Sequence, residues 1–209
     1  MGELLVLWDV DYTLLSAVGL GNRLYQAVFR DMFGRDLPAV APKAGRTDRA
    51  IAGDTLELAG VSRDRVDEFL AALACRVAAL DGSVQAEVRA LPGAAGAIAA
   101  LKLAAAGLGE HLDLDVGAFG DVHEIRAELV PVARQAARAA YGADFGGQST
   151  VLVGDTPLDV AAALATGARA VGVATGSFAA ADLAAAGAHV VLPDLTRAAL
   201  VLAAVTGQP

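Results

Sequence analysis

The sequence predicts an α/β protein: a doubly wound parallel sheet with a block of helices inserted near its start. Three observations carry that expectation. A short continuous apolar run, Leu4 to Trp8, ends on Asp9, as a buried strand does. From Thr150 onward, β-branched runs alternate with helical stretches, the pattern of a parallel sheet covered on both faces. Between the two, residues 16–90 read as helix after helix, with no strand to pair with the first. The expected division is a core of residues 1–15 and 91–209 and a helical insertion of residues 16–90.

Residues 3–8 make the first strand, apolar and free of Pro and Gly. Leu20, Leu24, Val28 and Met32 then form a helical stripe between Gly19 and Phe33, with Gly34 as its stop. After a loop containing Pro38 and Pro42, Thr47 or Asp48 caps a helix that runs to about Ala59 and ends at Gly60. Ser62 caps the next, which Asp81-Gly82 closes. Pro92 opens an alanine-rich helix that reaches about Ala106 and ends at Gly107. Residues 114–119 are expected as a short strand, and a helix as spanning about Glu124 to Tyr141. Strands are expected at 150–153, 170–173 and 189–192, with helices at 156–166, at 180–186 and from near Asp194.

Composition narrows the function. A net charge of −8 argues against a nucleic-acid surface, which needs a basic patch. No apolar run approaches the roughly eighteen residues of a membrane span, and no basic segment precedes the first apolar run as it would in a signal peptide. The one cysteine, Cys75, excludes an intrachain disulfide and fits a reducing cytoplasm. Its apolar neighbours suggest a small buried hydrophobe.

Two acidic constellations carry chemistry. Asp9 and Asp11 follow the first strand two residues apart, and Thr13 comes next. Carboxylates at a buried strand end repel each other and resist desolvation, and a divalent cation such as magnesium would compensate them. An ionised aspartate is also a nucleophile toward phosphorus, with a second carboxylate as proton donor and acceptor; the bland alternative is a turn cap. The second constellation is Gly154-Asp155-Thr156-Pro157-Leu158-Asp159. Asp155 ends a strand and is the better metal ligand. Asp159 lies three residues after an N-cap threonine with proline between, so it reads equally as a capping-box acid and as a site residue.

Taken together, Asp9-Val10-Asp11-Tyr12-Thr13 and Gly154-Asp155-Thr156-Pro157-Leu158-Asp159 resemble the motifs of the haloacid dehalogenase (HAD) superfamily of phosphohydrolases. The likeness extends to the tail, residues 167–173. Residues 16–90 resemble the α-helical cap of its phosphoglycolate-phosphatase-like and β-phosphoglucomutase-like members. The resemblance implies Asp9 as nucleophile, Asp11 as general acid/base, and Mg2+ held by Asp9, the Asp11 carbonyl and Asp155 with Asp159 in support. It further implies Thr13 in the phosphate site and a small phosphorylated metabolite as partner. Aspartate at position 11, where dehalogenases carry tyrosine, favours phosphate-ester chemistry. Arg126 is the candidate for the family's basic clamp, with a surface ion pair as the alternative. Arg46, in Gly45-Arg46-Thr47-Asp48, is a candidate for an anionic substrate tail, or else a solvated helix-start arginine.

One family part is missing. Between Val84 and Gln148 there is no serine or threonine to hydrogen-bond the transferring phosphoryl group, and no β-like run between Pro92 and Leu108. Two helices read as fused at Leu101/Lys102, with a strand and its loop gone. Losing a strand would leave neighbouring backbone groups unpaired, so the expectation is a segment missing from the sequence rather than from the protein. An intact mass near 21.0 kDa would refute it. The expected function is a magnesium-dependent phosphomonoesterase. A phosphomutase of the same build and a degenerate, non-catalytic binding protein are the alternatives.

Overall fold

The computed structural model describes residues 3–16, 19–78, 89–90, 112–113 and 116–207. In chain order its elements are β1 (Leu5–Trp8), β2 (Leu15–Ser16), α1 (Leu20–Phe33), α2 (Asp48–Leu58), α3 (Val66–Ala78), β3 (Arg89–Ala90), α4 (Leu129–Tyr141), β4 (Thr150–Gly154), α5 (Pro157–Ala165), β5 (Arg169–Val173), α6 (Ala180–Ala185), β6 (Val190–Leu192) and α7 (Ala198–Thr206). Single 3-10 turns precede α3, α4 and β4.

Four strands form a parallel sheet in the order β1-β4-β5-β6. β4 is buried along its whole length, which is why it reads as a continuous apolar run and not as an alternation. Successive residues feed opposite faces. Val151 and Val153 join Val171, Val173 and Leu14 under α7, whose Val201 and Ala204 close that face. Leu152 and Ala170 turn the other way, against Val130 of α4, Val160 and Ala163 of α5 and Leu183 of α6. This is the doubly wound α/β fold expected of the sequence. Among the described residues, β1 has a strand neighbour on one side only. The proposed break at Leu101/Lys102 and the helices flanking it lie outside the described residues, as does the Asp81-Gly82 helix end.

The helices between β2 and β3 have an apolar core of their own. Tyr25, Val28 and Phe29 of α1 meet Ile51 and Leu56 of α2 and Val66 and Phe69 of α3. Gly34 ends α1 in the left-handed conformation, and the Thr47 hydroxyl caps α2 by accepting from Ala50 N. The Ser62 hydroxyl accepts from Asp64 N and caps a 3-10 turn that leads into α3.

Several expectations are corrected. Residues 15–16 and 89–90 pair as a short antiparallel ribbon, so the segment 16–90 is not purely helical at its ends. Two-residue strands are too short to leave a periodic signature. No strand runs through 116–119: Val116 packs with Leu5, Ala137 and Phe145, while Gly117 interrupts the run and Phe119 is exposed. The helix expected from Glu124 starts as a 3-10 turn at Arg126–Glu128 and becomes α-helical at Leu129. Pro131 then falls in the first turn, where a missing N–H costs nothing. α7 starts at Ala198, because the Asp194 carboxylate instead accepts from Thr196 N at 2.8 Å and holds a turn. Cys75 is exposed, on the side of α3 turned away from Phe69.

Candidate active site

The site forms where β1 and β4 end side by side. Trp8 pairs with Val153, and Asp9 N donates to Val153 O at 2.7 Å. Asp9 and Asp155 therefore leave the same carboxyl edge of the sheet, the edge at which ligands of such sheets bind. Beyond Asp11 the chain turns sharply. Tyr12 takes a φ of 65°, a left-handed conformation that L-residues avoid, and the Thr175 hydroxyl donates to its carbonyl at 2.5 Å. Leu14 N closes the turn on Val10 O at 3.0 Å and carries Thr13 inward.

Carboxylate oxygens of Asp9, Asp155 and Asp159 lie within 4.8 Å of one another. Asp159 is buried, and its two carboxylate oxygens have different partners. One oxygen, Oδ2, accepts from Thr156 N at 3.0 Å and from the Thr156 hydroxyl at 2.7 Å, completing the capping box of α5. The other, Oδ1, accepts from Arg126 Nε at 2.5 Å. The Arg126 guanidinium also donates to Asp9 Oδ1, so a single fork bridges two of the three acids.

Glycines let the acids crowd. A Cβ on Gly154 would lie 2.3 Å from Asp159 Cγ, and one on Gly176 would lie 1.8 Å from Asp155 Oδ2. Thr13 is fully buried, and its hydroxyl donates to Asp155 Oδ1 at 3.3 Å. The structure thus places Thr13 behind a carboxylate, where it orients Asp155.

The electrostatics follow from this crowding. Burial, and after it the charge of Asp159, pushes the Asp9 carboxyl up to about 7, with Arg126 pulling the other way. Burial and Asp159 likewise push Asp155 up to about 6. Burial works against the charge of Arg126, yet Asp159 and Asp9 hold it protonated, above its ordinary range. Three close carboxylates sharing one guanidinium retain excess negative charge. All the ligand atoms are hard oxygens, and Gly176 leaves no side chain over Asp155. That set fits a magnesium ion.

Asp11 stands outside the trio and is exposed. Lys43, from the loop before α2, is burdened by burial, and Asp11 and Asp48 favour its charged form. Residues of the helical segment between β2 and β3 meet this part of the chain. Arg49 N donates to Gly120 O at 2.9 Å, Arg49 Nε to Asp121 O at 2.8 Å, and the Thr47 hydroxyl to Glu124 O at 3.0 Å. Gly45, at a φ of 67°, approaches so closely that a Cβ would lie 2.4 Å from Thr156 Oγ1. Arg46 turns its donors back onto the cap, to Asp54 at 2.6 Å and to the carbonyls of Pro42 and Ala50. Sequence reasoning missed Lys43, Thr175 and Gly176. None carries a local signal, because each matters only through residues far away in the chain.

Residues 127–198 match the family model described as HAD-hydrolase-like, which takes in Asp155 and Asp159 but not Asp9. No curated protein matches the chain. Among solved structures, the fold is similar to a candidate beta-phosphoglucomutase from Bacteroides vulgatus: TM-score 0.63 and 14% identity, over 98% of this chain and 90% of that one. It is also similar to a predicted phosphatase from Clostridium acetobutylicum, with TM-score 0.63 and 15% identity over 97% and 98% of the two chains. A HAD family hydrolase from Deinococcus radiodurans R1 with bound phosphate and sodium gives TM-score 0.52 and 23% identity over 98% and 96%. Residues 127–198 thus match the HAD-hydrolase-like family model, and the chain as a whole shares the fold of these solved structures.

Proposed function

We propose that the chain is a magnesium-dependent phosphatase acting on a small phosphomonoester through an aspartyl-phosphate intermediate. The observation that supports it best is the joining of Asp9, Asp155 and Asp159 at one sheet edge, with Arg126 bridging the first and the last. Asp9, Asp155 and Asp159, with the Asp11 carbonyl, are the residues that would hold the ion. Its chemical contribution would be positive charge for the phosphoryl oxygens and for the carboxylates around it.

An Asp9 carboxylate oxygen attacks phosphorus, and the bond from phosphorus to the ester oxygen breaks. Asp11 gives its proton to the departing alkoxide. A water molecule then attacks the aspartyl phosphate and passes a proton to Asp11; the bond from phosphorus to Asp9 breaks, and inorganic phosphate leaves. Arg126 favours the ionised form of Asp9 against its burial and faces the transferring group with a fixed positive charge. The cap excludes water from the first step.

The test is hydrolysis of p-nitrophenyl phosphate with magnesium, with chelator, and by Asp9→Asn. Loss of at least about a thousandfold in the variant is expected, as for removal of a covalent nucleophile. Wild-type rates in Asp9→Asn would sink the assignment. The absence of Ser and Thr between Val84 and Gln148 favours a second reading, a binding protein without turnover. Magnesium-dependent phosphate binding without hydrolysis in the intact chain would establish it. Turnover of a sugar phosphate that requires bisphosphate priming would instead make the chain a mutase.

A further inference from the structure

One residue beside the acids sits in a conformation that its side chain disfavours. Tyr12 has a φ of 65°, and among the described residues it is the one non-glycine with a positive φ. Outside glycine, the left-handed conformation is disfavoured about five- to thirtyfold. Burial of the ring does little to hold it there, since Tyr12 is 46% exposed. The ends of the turn are fixed: Asp9 N donates to Val153 O before it, and Thr13 and Leu14 are fully buried after it. Asp11 and Tyr12, between those ends, are exposed.

What meets the strained residue comes from far along the chain. Past β5, Ala174 N donates to Leu192 O at 2.9 Å and Thr175 N to Val173 O at 2.9 Å, so this segment is tied to the end of β6 and turned back. The Thr175 hydroxyl then donates to the Tyr12 carbonyl at 2.5 Å, across a separation of 163 residues. The neighbouring Gly176 lies so close to Asp155 that a Cβ would sit 1.8 Å from its Oδ2. One short segment thus meets both the turn that carries Asp11 and the acid that ends β4. A single hydrogen bond shifts an equilibrium about fivefold, the same order as the strain it opposes here.

We propose that Thr175 is a positioning residue for phosphoryl transfer: its hydroxyl holds the Tyr12 carbonyl and so keeps the left-handed turn that fixes where Asp11 stands relative to Asp9. Freed of that bond, Tyr12 relaxes toward a negative φ, and the peptide units beside it rotate and carry Asp11 with them. The inference rests on the reading of Asp9 and Asp11 as nucleophile and acid, and its test keeps the two apart. Full-length chains carrying Thr175→Val, Thr175→Ser, Tyr12→Gly, and Tyr12→Gly with Thr175→Val are compared in two ways. One is kinetics on p-nitrophenyl phosphate with magnesium. The other is amide hydrogen exchange at Leu14, whose N–H closes the turn on Val10 O.

Thr175→Val keeps the shape and removes the hydroxyl. It should lower kcat about five- to tenfold with KM changed by less than about twofold, and speed Leu14 exchange about fivefold. Thr175→Ser should restore both. Tyr12→Gly adopts the left-handed φ without penalty, so in that background each effect of Thr175→Val should shrink to about twofold or less. A merely structural Thr175 would lower the melting temperature in Thr175→Val while kcat and Leu14 exchange stay unmoved, and that result overturns the proposal. So does a loss that serine fails to restore, or one undiminished by Tyr12→Gly. A wild-type chain inert toward p-nitrophenyl phosphate, with Leu14 exchange responding as expected, would count against the catalytic reading alone.

Discussion

Arg126 is held by geometry that a point charge would not reproduce. Its fork reaches Asp9 and Asp159 together, and lysine has no second arm for that task. Burial has raised the Asp9 carboxyl to about 7, so without the guanidinium it moves further into the protonated, non-nucleophilic form at neutral pH. Arg126→Met should lower kcat by about 10²–10³ and shift the acidic limb of the pH–rate profile upward. A profile with an unmoved acidic limb would show that Arg126 does not set the ionisation of Asp9.

At the level of elements, α5 turns one capping motif into part of the site. Thr156 occupies the N-cap, Pro157 the first helical position and Asp159 the third, so the helix start and the acid's orientation are the same set of hydrogen bonds. Thr156→Ala should cost about 1 kcal/mol of stability in urea unfolding. It should also weaken magnesium binding several-fold, because Asp159 loses the hydroxyl that fixes its rotamer. Loss of stability with unchanged magnesium affinity would confine Thr156 to capping. Gly45 packs against the same threonine, so the loop before α2 and the start of α5 meet on one side chain.

For the molecule as a whole, the raised acids make stability depend on pH in an unusual direction. Unfolded carboxylates titrate near 4, whereas Asp9 and Asp155 are raised to about 7 and about 6. Between those limits the folded chain binds more protons than the unfolded one, so metal-free stability falls as pH rises from about 4 to about 7. Asp54 does not offset this, because hydrogen bonds from Arg63 and Arg46 hold it below its ordinary value and it titrates beneath that window. In chelator, the melting temperature should be lower at pH 8 than at pH 5. Magnesium at a hundred times its dissociation constant should restore about 2.7 kcal/mol at pH 8, or about 5–10 °C, and less at pH 5. An equal magnesium shift at the two pH values would refute the proton linkage.

The sequence by itself determined whatever depends on neighbours in the chain. The apolar run of β4, the glycine stops, the capping box at Thr156 and the placing of Asp9 and Asp155 at strand ends are all local patterns, and each was legible before any coordinates. The ends of β2 and β3 were not, because two paired residues have no periodicity to read. Only the tertiary structure decided that one arginine serves both Asp9 and Asp159, that Thr13 backs Asp155, and that Thr175 donates to the Tyr12 carbonyl while Arg46 turns away. Those contacts join residues distant in sequence, and their energy comes from shared burial and charge at the sheet edge, which local spacing does not encode.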